Sequence, residues 1–257
     1  MVSAERCRRF RRRILEMTQT VPALHIGGAF SCLEMVDALY HDLMQRQPDG
    51  SFRDTFIMSK GHGCVAQYVV LDALGILPKG ELERYCTAEG RLGMHPDYGV
   101  PGISASTGSL GHGLGLALGM ALADAGATVY VVLSDGELQE GSTWEAILMA
   151  SSLRASNLVA MVDNNDFQSV GRTSVTHPSF YPLADKLVAF GWETVEVNGH
   201  DSAGIVSAVR SRRGDKPFVL IGKTVKGKGV SFMEDVNIWH YRSPDRREFA
   251  QAMAELQ

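Results

Sequence analysis

Two carboxylates, Asp135 and Asp163, sit close behind apolar, β-branched runs, Val129–Leu133 and Leu158–Val162. Between them lie a glycine-bearing turn and a segment of helical spacing, Ser142–Leu153. This pattern is a strand–helix–strand unit, which sets the two acidic strand ends side by side. A parallel sheet takes its ligands at the carboxyl ends of its strands, so both ends open on one crevice. Hard oxygen ligands beside backbone N–H groups suit a Mg²⁺ or Ca²⁺ ion holding a phosphate. A second candidate is Lys60-Gly61-His62-Gly63, a histidine between two glycines where a strand, Thr55–Ser59, turns into a helix reaching Leu74. Such a turn gives a ligand open access to the backbone.

The elements needed to position these groups recur along the chain. An Arg-rich stretch, Ala4–Thr18, reads as an amphipathic first helix with a solvated basic face. In His25–Met35 the glycines mark a tight loop, and Ser31 with Glu34 forms a capping box for a helix to Leu43. Pro78–Glu89 reads as a helix, and Gly90–Gly108 as a long loop that carries His95. Gly108–Gly119 opens an Ala/Leu-rich helix ending near Gly126. After the central unit come a helix over Ser179–Gly191, a strand over Glu193–Val197, a helix capped by Asp201 and a strand over Phe218–Ile221. The alternation predicts an α/β fold: a doubly wound, mainly parallel sheet with helices on both faces, formed by residues 1–257 as a single domain.

Bulk properties exclude several function classes. A chain of 257 residues, 45% hydrophobic, can bury a substantial core. A net charge of −4 gives no sign of nucleic-acid binding. The apolar runs are too short or interrupted to cross a membrane, and no secretory pattern opens the chain. Four cysteines, Cys7, Cys32, Cys64 and Cys86, are scattered without CxxC pairing, which suits reduced thiols in a cytoplasmic protein. Gly111, Gly113 and Gly115, with Asp135 about 20 residues on, invite a dinucleotide-binding reading. That reading needs a hydrophobic strand before the glycines, and Ile103–Thr107 is a poor one. Gly222-Lys223-Thr224 matches part of a P-loop, but Pro217 stands where that motif needs glycine.

Taken together, Ser134-Asp135-Gly136-Glu137, Glu140-Gly141, Trp144-Glu145-Ala146 and Asp163-Asn164-Asn165 resemble the thiamine diphosphate signature of transketolases. Further patches of the same resemblance cover nearly the whole chain: HIGGAFSCLEM, SKGHG, GMHPDYG, STGSLGHGLGLALGMA, NGHD and GKTVKGKGVSFME with WH. The resemblance implies a diphosphate-binding (PP-type) domain. It implies that Asp135, Asn165 and the carbonyl of Phe167 hold Mg²⁺, for which Ca²⁺ or Mn²⁺ could substitute. His62, Gly108, Leu110, Gly136 and Glu137 are then cofactor-binding. His25, His95 and His240 are the catalytic histidines around the reacting sugar carbons, a task suited to imidazoles tuned near neutral pH. Glu140 and Glu145 are interface residues that link active sites, while helix N-terminal charge would explain Glu140 equally.

In the family, a glutamate on a second, pyrimidine-binding domain helps activate the cofactor. The chain stops at Gln257, after the first domain. The resemblance thus implies the N-terminal subunit of a split transketolase, in an α2β2 assembly with a C-terminal subunit carrying that glutamate. The substrates implied are sugars or sugar phosphates. Two alternatives are the α subunit of a 2-oxo-acid dehydrogenase or decarboxylase, and a non-catalytic homologue. The first gives no reason for His25, His62 and His95 together; the second gives none for Asp135 with Asn165. Ser134, Ile26, His112, Tyr241 and Arg242 depart from the full-length pattern, and Tyr241 and Arg242 are placed to narrow the entrance or add an anion contact.

Overall fold

Val129–Leu133 and Leu158–Val162 have no charged residue, as expected of strands covered on both faces. The computed structural model, which describes residues 3–169 and 171–257, places them at the centre of a sheet. In chain order its elements are α1 (Ser3–Met17), α2 (Ile26–Ser31), α3 (Leu33–Ala38), β1 (Thr55–Met58) and α4 (Cys64–Ala73). Then follow α5 (Gly113–Ala123), β2 (Val129–Ser134), α6 (Gly141–Ser152), β3 (Leu158–Asn164) and α7 (Thr173–Thr176). The last are α8 (Leu183–Ala189), β4 (Glu193–Asn198), α9 (Ser202–Arg210), β5 (Phe218–Lys223) and α10 (Arg246–Glu255). The strand order is β1-β2-β3-β5-β4 and every neighbouring pair is parallel.

The period of two along each strand divides the interior. Phe56, Met58, Tyr130, Val132, Val159 and Met161 pack with Ile14 of α1, Met35 of α3, Val69 of α4 and Ile205 of α9. The alternate residues Ile57, Val131, Leu133, Ala160 and Val162 pack with Leu114 of α5, Ile147 of α6 and Leu187 of α8. The predicted doubly wound α/β architecture is therefore present, with a hydrophobic core on each face. Ser134 pairs with Asp163 in the β2–β3 register, so Asp135 and Asn165 leave the sheet at neighbouring points.

Several local expectations give way. Ser31 is the last residue of α2, and Gly27 and Gly28 are helical instead of forming a loop. There is no capping box here, because Ser31 donates to Asp163 and Glu34 is engaged by Arg11. The glycines serve close approach: a Cβ on Gly27 would lie 2.7 Å from the Trp239 carbonyl oxygen. The basic face of α1 is not wholly solvated, since Arg11 is buried against Glu34 and Arg6 pairs with Asp37. Over Pro78–Glu89 there is only a turn at Leu82–Arg84. Gly80 and Cys86 have positive φ there, and the Glu81 carboxylate accepts from the Arg91 amide. The helix expected over Ser179–Gly191 begins at Leu183, after Pro182. Asp201 occupies the N-cap position of α9 without a side-chain cap bond. A true capping box, Asp245 with Glu248, opens α10.

Candidate active site

The carboxyl ends of β1, β2, β3 and β5 surround a cavity of about 330 Å³. Its walls bring together His25, His62, His95 and His240 with Gly108, Leu110, Gly136, Asn165 and Phe167. Tight backbone contacts shape one side. Gly108 has φ +144, and a Cβ there would meet the His95 ring at 2.9 Å. Gly111 has φ +88, and a Cβ would meet the Ser142 Oγ at 2.5 Å. Only glycine fits either place without displacing the groups that line the wall.

The polar floor is a buried network centred on Asp163. Its Oδ1 accepts from Ser31 and Thr224, while its Oδ2 accepts from Lys60 and, at 3.3 Å, from the Asn165 amide. Asp163 is already compensated by the Lys60 ammonium, whereas Asp135 has no ion-pair partner among the described residues, so the two strand ends are not an equivalent pair of cation ligands. Lys60 is 1% exposed and also donates to the Gly28 carbonyl at 2.9 Å. Burial works against its charge, yet Asp163 holds its pKa above the ordinary lysine value. Lys226 is 2% exposed and lies 3.2 Å from His240 Nδ1. Burial, aided by repulsion from Lys60, lowers its pKa to about 8. Sequence reasoning misses both lysines. In SKGHG, Lys60 stands beside a candidate histidine, which is the signal that could have found it.

Asp135 has the opposite problem. Burial, followed by the negative charge of Asp163, pushes its carboxyl up to about 7. One oxygen accepts from the Gly136 amide at 2.9 Å; the other accepts from Tyr181 at 3.2 Å and Thr173 at 3.5 Å. The Phe167 carbonyl oxygen lies 3.6 Å from where a Cβ of Gly136 would stand. Asn165 Oδ1 accepts from the Phe167 amide and its Nδ2 donates to Ser31, each at 2.9 Å.

Among the histidines, His25 is central. Its ring centroid is 5.4 Å from those of His62 and His240 and 6.2 Å from that of His95. Burial lowers His25 to about 4, with His95, Lys226 and Lys60 contributing. Burial and then Lys226 lower His240 to about 4, and His62 is held well below the ordinary imidazole value by burial and Lys60. All three are therefore neutral at pH 7, and His25 and His240 are not tuned near neutrality as the sequence-based expectation had them. Their linkage has a definite sign. Below the ordinary value of 6.5 the unfolded chain takes up protons first, so this contribution to stability falls as pH drops towards about 4. A His25→Asn/His240→Asn variant should lose part of that acid slope in urea unfolding; an unchanged slope would count against buried neutral rings.

Of the other candidates, only Glu140 lines the cavity wall. Glu137 is fully buried behind it, where its Oε1 accepts from Ser59 and from the Gly111 amide at 3.0 Å and its Oε2 has no partner among the described residues. Its place is thus against the Gly108–Gly111 turn instead of the cavity. Glu140 reaches the rim, and Glu145 is exposed on α6. His112 is exposed with its Nδ1 facing the Ser109 and Leu110 carbonyls. Tyr241 covers His25, with centroids 4.6 Å apart, and its hydroxyl donates to Met94 Sδ. Arg242 is not among the residues that line the cavity; it pairs with Glu248 and stacks over the Trp239 ring.

Known proteins resolve the family. A profile described as "Transketolase, thiamine diphosphate binding domain" matches residues 6–252. The chain belongs to the transketolase family. It is 39% identical over 255 residues, 96% of this chain and 90% of the relative, to one of the named subunits of an apulose-4-phosphate transketolase from Phocaeicola vulgatus. It is 38% identical to "6-deoxy-6-sulfo-D-fructose transketolase subunit SqwG" of a Clostridium species, covering 91% of this chain and 88% of that one. A solved transketolase from Leishmania mexicana superposes with a TM-score of 0.89 at 26% identity. That match covers all of this chain and 41% of the other, so the chain spans about two-fifths of that solved transketolase.

The donor set fits a thiamine diphosphate–metal group. Lys226 is a buried ammonium with no carboxylate partner among the described residues, so an anion would relieve it. Asp135 is a fully buried carboxylate with no ion-pair partner among the described residues, so a cation would offset the cost of its charge. Carboxylate, amide and carbonyl oxygens together suit a hard divalent ion.

Proposed function

We propose that this chain is the N-terminal subunit of a split transketolase and that, with a second subunit, it transfers a two-carbon ketol unit from a ketose to an aldose. The observation that carries this reading is the pairing of the four-histidine cluster with Lys60, Lys226 and Asn165 in one cavity, backed by the buried carboxylate of Asp163. The floor suits the diphosphate end of the cofactor, and the histidines suit the sugar. Residues 1–257 serve here as one PP-type domain. Asp135, the Asn165 oxygen and the Phe167 carbonyl hold Mg²⁺, with Ca²⁺ or Mn²⁺ as substitutes. Lys60, Lys226 and His62 face the phosphates, while Gly136, Gly108 and Leu110 shape the backbone wall.

Thiamine diphosphate, when bound, supplies the carbon nucleophile and the electron sink for breaking the sugar's carbon–carbon bond. The chain's own residues handle position and protons. His25, His95 and His240 converge where the reacting carbons and hydroxyls would lie. The neutral imidazole of His25 can accept a hydroxyl proton and return it, while His240, whose Nδ1 faces the Lys226 ammonium, is left with an Nε2–H that can hydrogen-bond an alkoxide. Tyr241, over His25, closes part of the mouth to water.

The relatives that are themselves named as transketolase subunits support a second chain. It is taken here as a C-terminal subunit that brings the pyrimidine-binding domain with its glutamate, in an α2β2 assembly. Leu116 and Leu122 of α5, with Leu148 and Met149 of α6, are 43–53% exposed on neighbouring helices, an apolar face suited to burial against another chain. Glu140 and Glu145 lie beside it, at the place of the site-linking acids. The compartment we assign is cytoplasmic; among the described residues, no helix is long and apolar enough to cross a membrane.

The test is reconstitution. The purified chain with thiamine diphosphate and Mg²⁺ should show negligible ketol transfer from ketose phosphates, and adding a pyrimidine-domain subunit should restore it. Robust turnover by this chain alone would overturn the split-enzyme reading, and no turnover with any such subunit would overturn the activity.

A further inference from the structure

His200, in the turn between β4 and α9, lies outside the cavity and has no part in the function proposed above. Its ring is nevertheless fixed at both ends. Nε2 accepts the backbone N–H of Val225 at 2.8 Å. A backbone N–H can only donate, so Nε2 carries the lone pair and the ring proton sits on Nδ1. Nδ1 faces Glu34 Oε2 at 3.0 Å. Glu34 is itself clamped by Arg11 through two hydrogen bonds of 2.7 and 2.8 Å, and both residues are buried. The tautomer and the orientation of His200 are thus set by an ion pair rooted in α1 and α3.

Val225 precedes Lys226, the buried lysine that reaches the cavity beside His240. Other ties hold the same loop: Thr224 is bonded to Asn164 and Asp163, the Gly227 amide to the Gly27 carbonyl, and the Val225 and Lys226 carbonyls accept the amides of Lys228 and Asp235 at 3.2 and 2.9 Å. None of these ties engages the Val225 N–H. Among the described residues, the amide next to Lys226 depends on His200 alone.

We infer that His200 is a positioning residue, which acts as a fixed neutral tautomer to hold the Val225 amide and so aim Lys226 at the bound diphosphate. The inference rests on the thiamine diphosphate reading for its consequence, but the tether itself is independent of any ligand.

Two variants separate this role from mere support of the Arg11–Glu34 pair. The amide of asparagine reaches the place of Nδ1, and that of glutamine the place of Nε2. His200→Asn therefore keeps a donor for Glu34 and loses the acceptor for Val225, whereas His200→Gln keeps the acceptor. In the free chain, amide exchange at Val225 should quicken about tenfold in His200→Asn and stay near wild type in His200→Gln. In the complex with the second subunit, the dissociation constant for thiamine diphosphate with Mg²⁺ should rise about tenfold in His200→Asn, with kcat at saturating cofactor changed far less. Wild-type exchange in His200→Asn, or equal loss in both variants, would overturn the inference. Failure of the wild-type complex to bind the cofactor would instead overturn the functional reading and leave the exchange result to judge the tether.

Discussion

Lys60→Met should cost about 3–5 kcal/mol of unfolding free energy, because it strands the Asp163 carboxylate, buried and without a cation. Lys60 and Asp163 are both almost wholly inaccessible, and among the described residues no other cation contacts Asp163 to take over the lysine's role. The second variant is Lys60→Met/Asp163→Leu, which removes both charges and should recover much of the loss, since an apolar pair of similar volume needs no compensation. Urea unfolding of the single and double variants checks both statements. Additive losses would mean that the two charges do not depend on each other in the fold.

Asp135 should behave in a contradictory way, and the contradiction is diagnostic. Asp135→Ala is expected to weaken Mg²⁺-dependent binding of thiamine diphosphate by about 100-fold or more, as a charge-assisted ligand is lost. Without cofactor, removing the charge should stabilise the chain at neutral pH. The carboxyl's pKa lies at about 7 in the fold against an ordinary 3.8. Between those values the folded chain holds a proton that the unfolded chain has released, so stability falls as pH rises through the window. Some three pKa units correspond to roughly 4 kcal/mol, as an order of magnitude. The stability difference between Asp135→Asn and wild type should therefore grow by about that amount from pH 4 to 7 and then level off. Calorimetric titration with cofactor and apo unfolding across pH measure the two halves; a variant that neither loses affinity nor gains apo stability would remove Asp135 from the site.

What can be read from the residues, and what cannot, divides along locality. The strands at β2 and β3 are legible because an unbroken apolar run of that length suits few places other than the middle of a parallel sheet. The Asp135-Gly136 turn is legible from its position at a strand end. The Asp163 network is not, because it joins Ser31, Lys60 and Thr224, residues that no spacing rule connects. Lys60 and Lys226 look like surface lysines until the fold buries them. The same limit explains Ser31 and Glu34: their spacing fits a capping box, but Asp163 and Arg11 compete for both side chains and win. Over Pro78–Glu89 helical spacing is overruled by Gly80, by Cys86 at φ 56 and by the Glu81–Arg91 contact. Glu137 sits one layer behind the wall its motif suggests, since the motif cannot say that Ser59 and Gly111 claim its carboxylate.

The strand order carries a consequence for how the protein is made. β5 lies between β3 and β4 although it is synthesised after both. A chain emerging from the ribosome thus exposes the open edge of β3 until residue 223 has left the exit tunnel, and exposed edges are where nascent chains go astray. Lys226 and His240 emerge later still. Both line the cavity, so its wall is complete only after the strand that fills the middle of the sheet has been made. Cells that make this protein quickly should depend on chaperones during that interval, and slow codons between β4 and β5 should lower its yield.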